Sequence, residues 1–378
     1  MAEKRSIFEE VSADTLKKTP QKTGLIDGGK SGARRAIRVW LHMLLILVAL
    51  MIVIGGLTRL TDSGLSITEW KPVTGAVPPL NDAAWAEAFA KYQQTPEFAL
   101  VNRTMTIAGF KSIYWWEWGH RQLGRLIGLV WAVGFLWFLA RRQIPAGWTG
   151  RLVLIGGLGG VQGAVGWWMV SSGLTGRMVD VASYRLALHL GLAFIIMGLI
   201  TWYSQHLKRD QRDLIQARRN REAGLTRLTG WLVALVFAQI LLGALVAGID
   251  AGRGYIDWPL MNGQFLPSES FDYLPLWTNG FENPALVQFN HRMIGYLVFV
   301  FAAFSWWQSR KSALRATKRA FDGVMAVVFA QVALGIATVM YAAPVGLAIT
   351  HQIGAIVVMV MILRARFATM YPTAQSLR

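Results

Sequence analysis

The chain has no cysteine and few charges: of 378 residues, 54% are hydrophobic and only 16% charged. Without thiols there can be no disulfide, thiolate-ligated haem, iron–sulfur cluster or cysteine nucleophile. Any metal must then be held by His, Met, Tyr or carboxylate. Soluble domains carry about 25% charge, so the shortage points to a polytopic membrane protein. Acids are scarcest, with 21 Asp and Glu against 38 Lys and Arg, a net charge of +17.

Eight apolar stretches reach the roughly 20 residues needed to cross a bilayer. They lie near 37–58, 118–140, 151–171, 184–205, 228–249, 288–308, 321–341 and 347–366. The first follows a basic tail of 36 residues, which argues against a cleavable signal peptide. In an eight-span reading, 27 of the 38 Lys and Arg fall on one side: in the tail, in 141–151, 206–227 and 309–320, and after Leu363. The positive-inside rule then places both termini in the cytoplasm. The basic charge reflects topology, not nucleic-acid binding.

The chain divides into a basic tail (1–36), a first four-span half (37–205), a basic linker (206–227), a second four-span half (228–366) and a C-terminal tail (367–378). The halves read as tandem copies. At a shift of 188, Gly55 matches Gly243, Asp62 matches Asp250, Trp70 matches Trp258, and Glu69 faces Asp257. Later spans align at shifts of 171 (His120 with His291), 169 (Gln162 with Gln331) and 162 (His189 with His351). Four spans per unit make these parallel repeats. The expected fold is all-α, eight transmembrane helices in two pseudo-symmetric four-helix bundles. In the outer loop 59–117, Asn81 or Asp82 can cap a helix through Gln94, and Pro96 can start another ending near Arg103. These amphipathic pieces either form a lid or serve as an anchor.

One block occurs twice: Glu117, His120, Arg121, Gly124, and then Gln288, His291, Arg292, Gly295. Positions i, i+3, i+4 and i+7 share one helix face. Four of the six histidines, His120, His189, His291 and His351, stand at repeat-equivalent positions near the outer ends of even-numbered spans. A single imidazole in a membrane is usually hydrogen-bonded structure; four at matched depth suggest ligands. Pairing them within halves gives two sites suited to bis-imidazole haem. A zinc or copper site is the rival, but it would want three or four converging ligands. Arg121 and Arg292 are candidate propionate partners, with snorkelling to the interface as the competing reading. His42 and His206 lack repeat partners and read as non-ligands.

Glu117 is the candidate catalytic residue, placed beside His120 where the second copy has only Gln288. The alternative is a Glu117–Arg121 pair stabilising a helix start. In Gln239-x-x-x-Gly243 and Gln331-x-x-x-Gly335 the glycines suit close helix packing, or a notch past which a flat ligand slides.

Two strings, Gly-Gly-Leu-Thr-Arg-Leu-Thr-Asp-Ser-Gly-Leu-Ser-Ile-Thr-Glu-Trp-Lys-Pro (55–72) and Phe-Lys-Ser-Ile-Tyr-Trp-Trp-Glu-Trp-Gly-His-Arg (110–121), together with the four histidines, resemble the haem A synthase family over about 36–366. With no cysteine, the chain is similar to the branch shared by alphaproteobacteria and mitochondria. The resemblance implies oxidation of a ring methyl of haem O to a formyl group. It implies haem b on His291 and His351, substrate haem O between His120 and His189, and Glu117 as catalytic acid. It also implies haem O synthase, cytochrome c oxidase assembly factors and an unidentified electron donor as partners, in the bacterial inner (plasma) membrane with the haem sites toward the periplasm. A homo-oligomer is left open. A dihaem electron-transfer cytochrome b without porphyrin chemistry is the alternative, and a haem carrier a third reading.

Overall fold

A computed structural model describes residues 31–176 and 178–373. Most of the basic N-terminal tail and the last five residues of the C-terminal tail lie outside the described residues. Among those described there is no β-strand, and eight helices are long and apolar enough to cross a membrane. They are α1 (Ser31–Leu60), α4 (Ile107–Ala140), α5 (Thr149–Val170), α6 (Ser183–Leu207), α8 (Ala223–Gly248), α10 (Pro284–Ser309), α11 (Arg315–Met340) and α12 (Val345–Met370). Shorter helices α2 (Asp82–Tyr92), α3 (Pro96–Leu100), α7 (Gln211–Arg219) and α9 (Asn279–Glu282) lie in the connections.

Within the first half, α1 packs on α4 and α6, and α5 bridges α4 and α6. The second half repeats this order: α8 on α10 and α12, with α11 between them. Across the halves, α6 packs on α8 as α1 packs on α12, and α6 also meets α12. The main core is continuous across the halves, running from Leu41 and Leu44 of α1 through Met197 and Ile200 of α6 to Leu232 of α8 and Ile362 of α12.

Helix α4 is the largest departure from the apolar-run boundaries, beginning at Ile107 rather than near 118. At about 1.5 Å per residue, its 34 residues exceed a bilayer core of roughly 30 Å. The extra turns are amphipathic and aromatic, so no hydropathy run announces them. They form because Phe110 and Tyr114 pack with Trp85 and Tyr92 in a separate small core. Glu117 and His120 therefore sit mid-helix, whereas Gln288 lies in the second turn of α10.

The connection between α1 and α4 follows its local signals. Asn81 caps α2 by accepting from the Ala84 amide (2.9 Å), and α3 starts at Pro96 with Thr95 as cap. At the opposite end, the basic linker is more ordered than its composition suggests. Helix α7 buries Leu214 and Ala217 against Phe367 and Tyr371, while Arg34 pairs with Asp210 and Arg209 donates to the Tyr371 carbonyl. Both ends of the described chain thus meet at one end of the bundle.

Candidate functional site

Each of the four repeat-matched histidines lies against a glycine of the preceding long helix. A Cβ on Gly55 would stand 3.2 Å from His120 Nε2; on Gly166, 2.8 Å from His189 Cε1; on Gly243, 3.1 Å from His291 Cε1; on Gly335, 2.9 Å from His351 Cε1. The small residues therefore make room for imidazoles as well as for helix contact. Each ring stays half-buried. His120 lies on α4 and His189 on α6 of the first half, and His291 on α10 and His351 on α12 of the second.

Glutamines one turn before three of these glycines hold the histidines. Gln162 Nε2 donates to the His189 carbonyl (3.0 Å), Gln239 Nε2 to the His291 carbonyl (3.0 Å), and Gln331 Nε2 to the His351 carbonyl (2.8 Å). The same amides lie 3.2 to 3.4 Å from ring nitrogens. Nδ1 of His291 and of His351 is buried and has no partner among the described residues.

Glu117 is buried with both oxygens engaged. Ser66 Oγ and the Ile67 amide donate to Oε2 (2.7 Å each), and Arg121 donates to Oε1 through Nη2 (2.6 Å) and Nε (3.1 Å). The i,i+4 pair thus exists, but it fastens a loop to mid-helix instead of starting a helix. Both arginines are turned inward onto backbone rather than snorkelling. Arg121 donates to the carbonyls of Ile67 and Glu69, and Arg292 to those of Tyr255 and Asp257, positions related by the shift of 188. Arg292 keeps a buried Nε without a partner among the described residues, which Arg121 does not. Gln288 donates to the Tyr255 carbonyl (3.1 Å), doing with an amide what Glu117 does as an acceptor.

His42 and His206 have structural partners: His42 Nε2 lies 2.7 Å from Ser204 Oγ, and His206 Nδ1–H donates to the Trp202 carbonyl. A cavity of about 280 Å³ beneath the connection between α1 and α4 is lined by Ser66, Glu69, Lys71, Lys91, Arg121 and Arg125. No histidine lines it, so it is not where an imidazole-bound group would sit.

Among the described residues no cluster of three or more His, Asp or Glu forms that could hold a bare ion. Glycine notches beside all four imidazoles, and the unpartnered ring nitrogens of His291 and His351, suit axial nitrogens for an iron tetrapyrrole. The glutamine clasps and the Ser66 and Ile67 contacts escaped the reading of the residues. The repeat shift that aligns Gln162 with Gln331 carried a signal for the clasps; the loop contacts left none, because they join residues about fifty positions apart.

A family profile described as cytochrome oxidase assembly protein matches residues 38–363. Curated relatives are similar along their whole length. The heme A synthase of Dinoroseobacter shibae is 62% identical over 379 residues, covering 100% of this chain and 99% of that protein. The heme A synthase of Ruegeria pomeroyi is 60% identical with full coverage of both, and that of Paracoccus denitrificans 57% identical over 99% and 98%.

Proposed function

The chain belongs to the haem A synthase family of cytochrome oxidase assembly proteins, and on that premise we propose that it oxidises a ring methyl of haem O to a formyl group, giving haem A. The conversion is a four-electron oxidation: with water as the oxygen source, –CH3 and H2O give –CHO with four protons and four electrons, which an external oxidant takes up. The observation that carries the site assignment is the asymmetry of two otherwise matching histidine pairs: only the first has a carboxylate on the ligand helix, Glu117 against Gln288.

In this reading His291 and His351 hold haem b, and His120 and His189 flank the substrate. Haem b there would supply one-electron redox chemistry between an external donor or acceptor and the first site. Glu117 is fixed by four hydrogen bonds, so its charge stays at one place beside the ligand helix. A fixed carboxylate stabilises positive charge developing on a reacting carbon, and it accepts a proton when a donor is released. Ser66 is the donor that can turn away most cheaply, since its hydroxyl also lies 3.2 Å from the Ser63 carbonyl. The loop held by Arg121 covers this position and keeps bulk water from it, aided by Trp70 resting on Trp167 (5.3 Å). The two halves act as four-helix units in the plasma membrane, both termini cytoplasmic and the histidine pairs near the outer face.

Extracted pigment provides the test. Replacing His291 or His351 by Ala is expected to deplete haem b, and replacing His120 or His189 to block conversion while haem b remains. Glu117→Gln is expected to leave a haem-loaded protein that makes no haem A. Normal turnover in that variant removes Glu117 from the mechanism. Two identical permanent haems and no formyl product in the unaltered protein would instead identify an electron-transfer cytochrome.

A further inference from the structure

The four histidines are not held alike. Those at 189, 291 and 351 each have a glutamine amide on the neighbouring helix donating to the backbone carbonyl. At the shift of 188 that relates α1 to α8, the counterpart of Gln239 is Met51. Space confirms the equivalence. The Gln239 amide lies 3.2 Å from where a Cβ on Gly295 would be, and the Met51 methyl lies 3.4 Å from the same point on Gly124. Gly124 and Gly295 each stand four residues after their histidine. A thioether has no N–H to donate, and its side chain is unbranched and adaptable.

We infer that Met51 makes His120 the releasable ligand, so that the first pair exchanges its tetrapyrrole while the second keeps a resident one. Within lipid, an amide that leaves a carbonyl finds no water to replace it. Opening the helix seam beside His189, His291 or His351 therefore breaks a hydrogen bond, and opening the α1–α4 seam beside His120 does not. The second pair is clasped on both sides and the first on one side only. A substrate that must enter and a product that must leave need a berth of this kind; a permanent redox group needs the other. This deepens the proposed function and rests on its assignment of the two pairs.

The experiment uses the full-length protein in detergent micelles, with Met51→Gln, Gln239→Met and Gln331→Met as variants. Transfer of bound haem to excess apomyoglobin gives release rates, with haem O loaded at the first pair and the resident haem at the second. A hydrogen bond of ordinary strength corresponds to about a fivefold change. Met51→Gln is expected to slow haem O release about fivefold and to slow multiple turnover more than a single one. Gln239→Met and Gln331→Met are expected to speed loss of the resident haem by a similar factor. They should also shift its low-spin electron paramagnetic resonance lines, which report imidazole orientation and would not respond to general loosening. Should Met51→Gln not reach the membrane, the two glutamine variants decide the matter. Unchanged release and spectra in a protein that still binds haem at both pairs overturn the clasp. Absence of haem from the pairs in the unaltered protein overturns the functional assignment instead.

Discussion

Gly166 and Gly335 leave no room for a methyl group. A Cβ there would come within 3.0 Å of an imidazole carbon, and a ring packed between two helices can yield only by rotating away. Gly335→Ala is therefore expected to lower resident haem content several-fold, and Gly243→Ala, with 3.1 Å available beside the other resident-haem histidine, to do less harm. Haem per protein by pyridine haemochrome assay checks the order. Gly157→Ala, where nothing lies within 4 Å, serves as the control; equal haem content in all three would deny the notch its role. The histidines and glycines were legible because the repeat marks them twice. Glu117 was legible as an acid beside His120, but its direction was not. Spacing along α4 places it near His120, while Ser66 and the Ile67 amide turn its carboxylate toward the loop.

Among the elements, the segment formed by α2 and α3 carries a buried acid that the proposed chemistry does not use. Glu97 is 5% exposed, and its Oε2 has no partner among the described residues. Burial pushes its carboxyl up to about 8; the Tyr92 hydroxyl opposes this, and the charges of Asp180, Glu117 and Asp62 add to it. The folded segment then keeps a proton that the unfolded segment releases above an ordinary value of 4.5. The folded state binds more protons across that window, so the stability of this segment falls as pH rises from about 4.5 to about 8, and levels off above it. Hydrogen exchange or limited proteolysis of residues 82–105 between pH 5 and 9 should show this decline in the unaltered protein. Glu97→Gln should give a nearly flat profile and a more protected segment at pH 8; matching profiles would show that the acid does not govern it. The caps of α2 and α3 could be read from Asn81 and Pro96 because capping is local chemistry. The early start of α4 could not, since only its aromatic contacts with α2 make those turns worth forming.

At the scale of the molecule, one arginine clasps the halves together. Arg59, with 11% of its side chain exposed, pairs with Asp62 (2.7 Å), with its repeat counterpart Asp250 (3.1 Å) and with Asp180 (3.7 Å). Asp62 and Asp250 both take left-handed backbone conformations, φ 48° and 52°, at equivalent turns. Their match was visible in sequence, but nothing there showed that a single cation serves both. Arg59→Ala leaves three carboxylates facing one another. Because they are partly exposed, the cost is roughly 1–3 kcal/mol rather than that of a fully buried pair. The apparent melting temperature in detergent should fall by several degrees, and raised salt should narrow the difference. A melting temperature matching the unaltered protein would place the joint elsewhere, for example at Gln352, which donates across the halves to the Ile52 carbonyl (2.6 Å).

The number of crossings, the duplication and the four placed imidazoles were determined by the sequence alone, because each is periodic or repeated and needs no knowledge of neighbours. The tertiary structure decided how Glu117 is held, that Arg121 and Arg292 bind loop carbonyls rather than lipid headgroups, and which histidine goes without an amide. Those outcomes depend on contacts between residues roughly 20 to 75 positions apart, and helix packing, not local propensity, selects them.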